Sequence, residues 1–214
     1  MMADERMRTF LRSLESDDPK WLEGQRQKAE ADRVPVIRRE TGSLLRFLLK
    51  LKCPESILEV GTAVGYSALL MSEYMPQGCR IITIEKDEKR ILTARGNFEK
   101  AGRGDRITLL AGDAGEVLGR LEPSFDFVFM DAAKGQYIRF LPGVMRLLAP
   151  GALLISDNVL QEGEILESRY AVKRRNRTIH ARMREYLYEL THHPALETIV
   201  LPIGDGVTVS IRKD

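Results

Sequence analysis

Cysteine is scarce. The chain has two, Cys53 and Cys79, with no spacing of the metal-binding kind, so a thiolate metal centre is excluded and a reducing cytoplasm is the expected compartment. Long apolar runs are missing too. No window approaches the ~18 consecutive apolar residues of a membrane span, and the opening Met1-Met-Ala-Asp-Glu-Arg mixes charges without leading into a signal core, so no membrane partner is expected. Nor does charge of one sign dominate: 33 basic against 31 acidic side chains leave +2. That is too little for overall charge to announce a nucleic-acid partner, which must be argued from where the charges lie, and DNA is not an expected one. With 30% charged and 43% hydrophobic residues among 214, the composition excludes disorder. It supports one domain over 1–214, since domains run to about 50–250 residues, with 1–33 as an N-terminal helical extension.

What is there is organised around Ser56-Ile-Leu-Glu-Val-Gly-Thr-Ala-Val-Gly-Tyr-Ser67. A short apolar run ends in an acid, Gly61 and Gly65 follow, and an apolar segment begins: a strand, a tight glycine turn and a helix start. The third glycine of the dinucleotide fingerprint is missing, and so is any lysine-containing phosphate loop. A ligand without a pyrophosphate is therefore favoured, adenosine without phosphates among them. The competing reading is a plain strand-to-helix turn in some other α/β protein.

Before this turn, Met7, Phe10, Leu11 and Leu14 lie at helical spacing, and Asp18-Pro19 reads as an N-cap with proline at the first helical position of a second, mostly polar helix to about Asp32. That helix has the character of a lid or a dimer contact. Thr41–Lys52, with Leu44, Leu45, Phe47, Leu48, Leu49 and Leu51, reads as a largely buried helix. From there the spacing predicts strands at Ile57–Val60, Arg80–Ile84, Arg106–Ala111, Phe125–Met130 and Ala152–Ser156. Helices are expected at 66–75, 88–101, 114–121 and 135–148, with Gly102 and Pro150-Gly151 at helix ends. A helix over Thr178–His192, burying Ile179, Met183, Tyr186, Leu187 and Leu190, precedes a hairpin of Leu196–Leu201 and Val207–Ile211 turned at Gly204-Asp-Gly206. The expected fold is α/β: a seven-stranded, mostly parallel sheet, helices on both faces, and an antiparallel C-terminal strand.

Polar residues gather at the strand ends, where such sheets bind ligands. Glu85, 20 residues after Gly65, stands where a carboxylate takes ribose hydroxyls; capping the next helix or pairing with Lys86 is the alternative. Asp113-Ala114 either meets the adenine or caps a helix. Ser67 and Glu59 flank the glycine turn and can reach the polar end of a nucleotide, and a buried acid at Glu59 needs a partner. Asp131 and Asp157-Asn158 close two further strands. Together they supply three oxygen ligands without sulfur or imidazole, which suits a hard cation if the strands are neighbours; taken singly, each reads equally as a cap or Asx-turn. Lys134 starts a helix, where the macrodipole disfavours a cation. It is either a solvated lysine or, beside a divalent cation, a general base.

Glu59-Val-Gly-Thr-Ala-Val-Gly-Tyr-Ser, Glu85, Asp131-Ala-Ala-Lys134, Asp157-Asn158 and Leu201-Pro-Ile-Gly-Asp-Gly-Val resemble the cation-dependent O-methyltransferases related to catechol and caffeoyl-CoA methyltransferases, from about Val34 onward. The resemblance implies a Rossmann-like class I methyltransferase fold, an S-adenosylmethionine-dependent O-methyltransferase activity and a homodimer. Ile37, Glu59, Gly61, Ser67, Glu85, Asp113, Ala114 and Asp131 are then cofactor residues. Asp131, Asp157 and Asn158 become ligands of Mg²⁺ or another divalent cation such as Mn²⁺, and Lys134 with Asp131 the catalytic pair.

The acceptor is argued from Arg169-Tyr-Ala-Val-Lys-Arg-Arg-Asn-Arg-Thr-Ile-His-Ala-Arg-Met-Arg184, which has seven basic residues and no acid. Either a polyanion binds near the site, through Arg169, Lys173, Arg174, Arg175 and Arg177, or this is a solvated face paired with Glu162, Glu164 and Glu167. The stretch also resembles the bacterial branch that methylates 5-hydroxyuridine at the tRNA wobble position. That implies a tRNA anticodon loop as partner, with a small catechol or hydroxycinnamoyl-type acceptor as the alternative. A non-catalytic cofactor- or RNA-binding module is the third reading.

Overall fold

The apolar alternation of the strands becomes a two-faced sheet. The computed structural model describes residues 5–122 and 124–214, so expectations touching 1–4 lie outside the described residues. Helices α1 (Glu5–Ser13), α2 (Lys20–Ala31) and α3 (Arg39–Lys52) precede β1 (Ser56–Val60). Then follow α4 (Tyr66–Tyr74), β2 (Arg80–Glu85), α5 (Glu88–Lys100), β3 (Ile107–Ala111), α6 (Ala114–Arg120), β4 (Phe125–Met130), α7 (Tyr137–Leu147) and β5 (Leu148–Ser156). The chain closes with α8 (Arg177–His192), β6 (Leu196–Leu201) and β7 (Val207–Arg212).

The strand order is β3-β2-β1-β4-β5-β7-β6. All neighbours are parallel except β7, which is antiparallel to both β5 and β6. Successive strand residues point to opposite faces. Ile57, Phe127, Phe129 and Ile155 join the core beneath α2–α5, whereas Leu58, Val60, Val128 and Met130 join the core beneath α6–α8. The strand order reverses beside β1, and the crevice outside the carboxyl ends of β1, β2 and β4 is where such a sheet takes its ligand. The expected fold is thus the one found. Among the described residues, no helix is long and apolar enough to cross a membrane.

Four local expectations are corrected. Asp18 does not cap α2: Pro19 occupies the cap position, while Asp18 accepts the Tyr74 hydroxyl at 2.6 Å, a better partner than a free N–H. The α3 helix buries Leu45, Leu48 and Leu49 but leaves Phe47 and Leu51 exposed, because one stripe of a helix suffices to cover the sheet. On α8 the buried stripe is His180, Met183, Tyr186 and Leu190; Ile179 is turned to its edge, against Gly135. Finally, α7 stops at Leu147 and Pro150-Gly151 lies inside β5, where the pairing with β4 shifts register between Phe125 and Phe127. A short 3-10 turn, Lys134–Gln136, leads into α7.

Tyr186 and Ser156 share a buried hydroxyl pair at 2.6 Å, one residue before Asp157. Tyr186→Phe removes one partner and strands the other, so chemical denaturation is expected to show a loss of about 1–3 kcal/mol. Unchanged stability would show that Ser156 is satisfied elsewhere.

Candidate active site

The glycine turn after β1 is held by backbone bonds that leave its inner surface open. Gly61 and Thr62 donate to the Ile84 carbonyl at 3.0 and 3.2 Å, and Gly65 to Thr62 at 2.8 Å. Gly61 adopts φ +96°, and a Cβ there would stand 2.4 Å from the Asp131 carbonyl oxygen; no other residue fits. Glu85 braces the turn from β2. One of its oxygens accepts from Ala63 N–H at 2.9 Å and the other from Lys86 and Asp87 N–H at 2.9 and 3.0 Å. A carboxylate offers about four acceptor sites, so bracing leaves capacity for a ligand.

Around this turn lies a cavity of about 350 Å³, the lower range of small-molecule sites. Ile37, Gly61, Ser67, Glu85, Asp113, Ala114, Asp131 and Asn158 all line it. Asp113 caps α6 through Gly115 N–H at 2.9 Å and also lines the cavity. Glu59 is placed differently. It is fully buried behind the wall, accepting the hydroxyls of Ser67 and Thr83, and burial pushes its carboxyl above the usual range. Its reach to a ligand therefore runs through Ser67. The buried Arg26 of α2 was not singled out from the sequence, where it sits in a run of polar residues. It donates to the Tyr66 hydroxyl and the Ile37 carbonyl, both at 3.1 Å, and so pins two cavity residues.

At one end of the cavity the acids meet. Because β4 and β5 are neighbours, with Met130 opposite Ser156, Asp131 and Asp157 stand side by side. Asn158, at φ +61°, turns its side chain back so that Nδ2 donates to Asp131 Oδ1 at 3.2 Å. Asp157 is buried; its Oδ1 accepts from Asn158 N–H at 2.8 Å and the Thr41 hydroxyl at 3.4 Å. Burial, then the charges of Asp157 and Glu59, push Asp131 up to about 7; burial raises Asp157 to about 6. Two carboxylates held back from ionisation, together with the amide oxygen of Asn158, form an oxygen donor set that fits a hard divalent cation.

Lys134 lies beside this cluster and is paired: Nζ donates to Asp205 Oδ2 at 3.1 Å. The sequence reading treated Asp205 only as part of a hairpin turn and a family motif; its Gly-Asp-Gly setting was the available signal. The basic stretch divides. Arg177 donates to the Val172 and Tyr170 carbonyls, Arg182 to Gly135 and Arg184 to Ile165, so these three fasten loops. Arg169, Lys173, Arg174 and Arg175 are exposed. Among the described residues, none of the seven pairs with Glu164, which instead accepts from Asn176, or with Glu167; the Glu162 side chain lies outside the described residues. No residue of the stretch lines the cavity, yet α8 packs on the turn that carries Lys134.

Residues 13–213 match the model of a family described as O-methyltransferase. A catechol O-methyltransferase of Niastella koreensis is 35% identical over 130 residues, 59% of this chain and 59% of that protein. The caffeoyl-CoA O-methyltransferase of Petroselinum crispum is 31% identical over 81% of this chain and 75% of its own. Among solved structures, an SAH-bound methyltransferase of Podospora anserina superposes with a TM-score of 0.88 at 28% identity, covering 98% of this chain and 95% of that one.

Asp131 and Asp157 ionise less readily in the folded chain than in the unfolded one. Their contribution to stability is thus complete below the unfolded carboxylate range and is lost as pH rises through about 6 and about 7. A divalent cation favours the ionised forms. The melting temperature of the metal-free protein is expected to fall between about pH 5 and about pH 8, and Mg²⁺ to raise it more at the higher pH. An equal Mg²⁺ response at both would contradict the assignment of this cluster.

Proposed function

The chain belongs to the O-methyltransferase family, and from that premise we propose that it moves the methyl group of S-adenosylmethionine to an acceptor hydroxyl seated against Asp131, Asp157 and Asn158. One observation carries the reading: a nucleoside-sized cavity and an oxygen-rich acidic cluster share Asp131 and Asn158 as a common wall. In this reading Glu85 takes the ribose hydroxyls, Asp113 faces the adenine, and Ile37, Gly61 and Ala114 cover the nucleoside. Ser67, oriented by Glu59, faces the amino-acid end. Asp131, Asp157 and Asn158 would hold Mg²⁺ or Mn²⁺, which when bound supplies Lewis acidity and a template for two vicinal acceptor oxygens. Lys134 receives the acceptor's proton. The acceptor oxygen then bonds to the methyl carbon as the carbon–sulfur bond breaks, its electron pair remaining on sulfur. An oxyanion and a sulfonium become neutral, a change favoured where water is excluded.

A catechol or hydroxycinnamoyl-type acceptor has adjacent oxygens of the required kind, and the names of the relatives support it. A second reading is favoured by the exposure of Arg169, Lys173, Arg174 and Arg175: these would hold phosphates of a tRNA anticodon loop. The wobble 5-hydroxyuridine, whose 5-hydroxyl and O4 are also vicinal, would then be splayed into the site and become 5-methoxyuridine. Arg177, engaged with backbone carbonyls, would order the loop rather than contact RNA. In the tRNA reading, mass spectrometry of nucleosides from tRNA carrying 5-hydroxyuridine shows a gain of one methyl. Arg174→Ala with Arg175→Ala then weakens tRNA binding about tenfold and lowers the salt slope by roughly 1.4–1.8, while turnover of a small catechol is unchanged. Methylation of catechol but not of the tRNA leaves the small-molecule acceptor. Asp157→Ala is expected to cost about 100-fold or more on either acceptor; full activity there would remove the cation from the reading.

Self-association is the corresponding proposal for α1, whose Met7, Phe10 and Leu11 are exposed together with Leu14 just beyond its end, an apolar face that water does not stabilise. Light scattering is expected to report a dimer that Phe10→Asp converts to monomer. A wild-type monomer at micromolar concentration refutes it.

A further inference from the structure

The buried residues of α2 are Leu22, Arg26 and Ala29, the spacing of an apolar helical stripe with a cation set into it. Arg26 is 3% exposed. Its ionic partner Glu30 stands 3.7 Å away and keeps 59% of its own side-chain surface, so the guanidinium is withdrawn from water against a solvent-facing acid. That withdrawal is costly, and a methionine would fill the stripe without it. What the guanidinium adds is a rigid fork of donors, and the fork spans two elements. Nε donates to the Tyr66 hydroxyl and Nη1 to the Ile37 carbonyl, both at 3.1 Å. The guanidinium carbon also lies 4.6 Å from the centre of the Tyr66 ring.

Both partners belong to the cavity, and Arg26 is not among the described residues that line it. Tyr66 opens α4 directly after Gly65 and faces the cavity, as do Pro35, Val36 and Ile37. Residues 34–38 form neither helix nor strand. Val34 N–H ties one end of this segment to the Ala29 carbonyl at 2.9 Å, and α3 begins just beyond the other. Backbone without a ladder is ordered by the side chains that reach it, and Arg26 reaches it at Ile37. We infer that Arg26 is the positioning residue for S-adenosylmethionine: its fork holds the 34–38 segment to the start of α4, so that both walls stand in place before the cofactor arrives. This rests on the reading of the cavity as the cofactor's. Walls ordered in advance raise affinity, because binding no longer has to order them. Without the fork, apparent affinity falls with the fraction of molecules whose walls are in place.

The test compares wild type, Arg26→Met, Tyr66→Phe and the double variant by calorimetric titration with S-adenosylhomocysteine. Arg26→Met is expected to weaken the Kd about tenfold and Tyr66→Phe, which leaves the Ile37 contact, about threefold. The double variant is expected to bind no more weakly than Arg26→Met, since both act through one contact. In turnover with 3,4-dihydroxybenzoic acid and Mg²⁺, Arg26→Met raises the KM for S-adenosylmethionine about tenfold and leaves that for the acceptor within about twofold. Hydrogen exchange separates this from a general loss of stability. In Arg26→Met the peptide spanning 34–38 is expected to exchange about tenfold faster without ligand, and to regain wild-type protection at saturating S-adenosylhomocysteine, while β1 and β4 keep theirs throughout. Arg26→Gln gives the same signatures if the methionine variant does not fold. A wild-type Kd in a folded Arg26 variant, unchanged exchange over 34–38, or an additive loss in the double variant overturns the inference. Failure of the wild type to bind S-adenosylhomocysteine overturns instead the reading of the cavity on which it rests.

Discussion

Between Gly61 and the carbonyl of Asp131 there is room for a hydrogen atom and nothing more. That contact fixes how the rest of the site is arranged. It follows from β1 and β4 being parallel neighbours whose ladder continues past the sheet, with Asp131 N–H donating to the Val60 carbonyl at 3.0 Å. The turn that takes the nucleoside and the strand end that carries the first acid thus share a wall one residue thick. Methyl transfer needs donor and acceptor in near contact and in line. A larger residue at position 61 would push apart the two halves that the chemistry brings together.

Around that wall the fold gathers acids and then provides for each. Glu59 is given the hydroxyls of Ser67 and Thr83, and Asp157 those of Thr41 and the Asn158 N–H. Asp205 is given Lys134. Asp131, buried beside the charges of Asp157 and Glu59, is raised to about 7. Such a cluster is destabilising as carboxylates alone and becomes favourable when a cation joins it. The supports come from unrelated parts of the chain: Thr41 from α3, Tyr137 from α7 beneath Met130 and Asp157 through its hydroxyl, Asp205 from the terminal hairpin. The helices packed on the sheet thereby hold the site as well as the core.

Much of this was legible in one dimension. The glycine turn, the two-residue alternation of β1 and β4, and the acids closing β2, β4 and β5 are local features. Their chemistry follows from which residues stand at a strand's carboxyl end, and the prediction that Asp131 and Asp157-Asn158 would meet needed only neighbouring strands. The element boundaries held to within a residue or two, except where helix and strand run together at Leu147 and Leu148. Composition and local pattern therefore determine the fold class, the kind of ligand and the positions of the principal acids, because hydrogen-bonded periodicity and turn geometry depend on a few adjacent residues.

Partnership was not legible. That Lys134 meets Asp205, that Arg177, Arg182 and Arg184 bind carbonyls while Arg174 and Arg175 do not, and that His180 rather than Ile179 enters the core all depend on segments far apart in sequence. So does the demotion of Asp18 from helix cap to partner of Tyr74, and of Glu59 from the cavity wall to the layer behind it. A charged side chain settles against whichever distant group packing brings within about 3 Å, and the energies of the alternatives differ by little until the surrounding surface is buried. Strand ends carry the acids; the docking of the last hairpin and the helices decides what each acid and base can do.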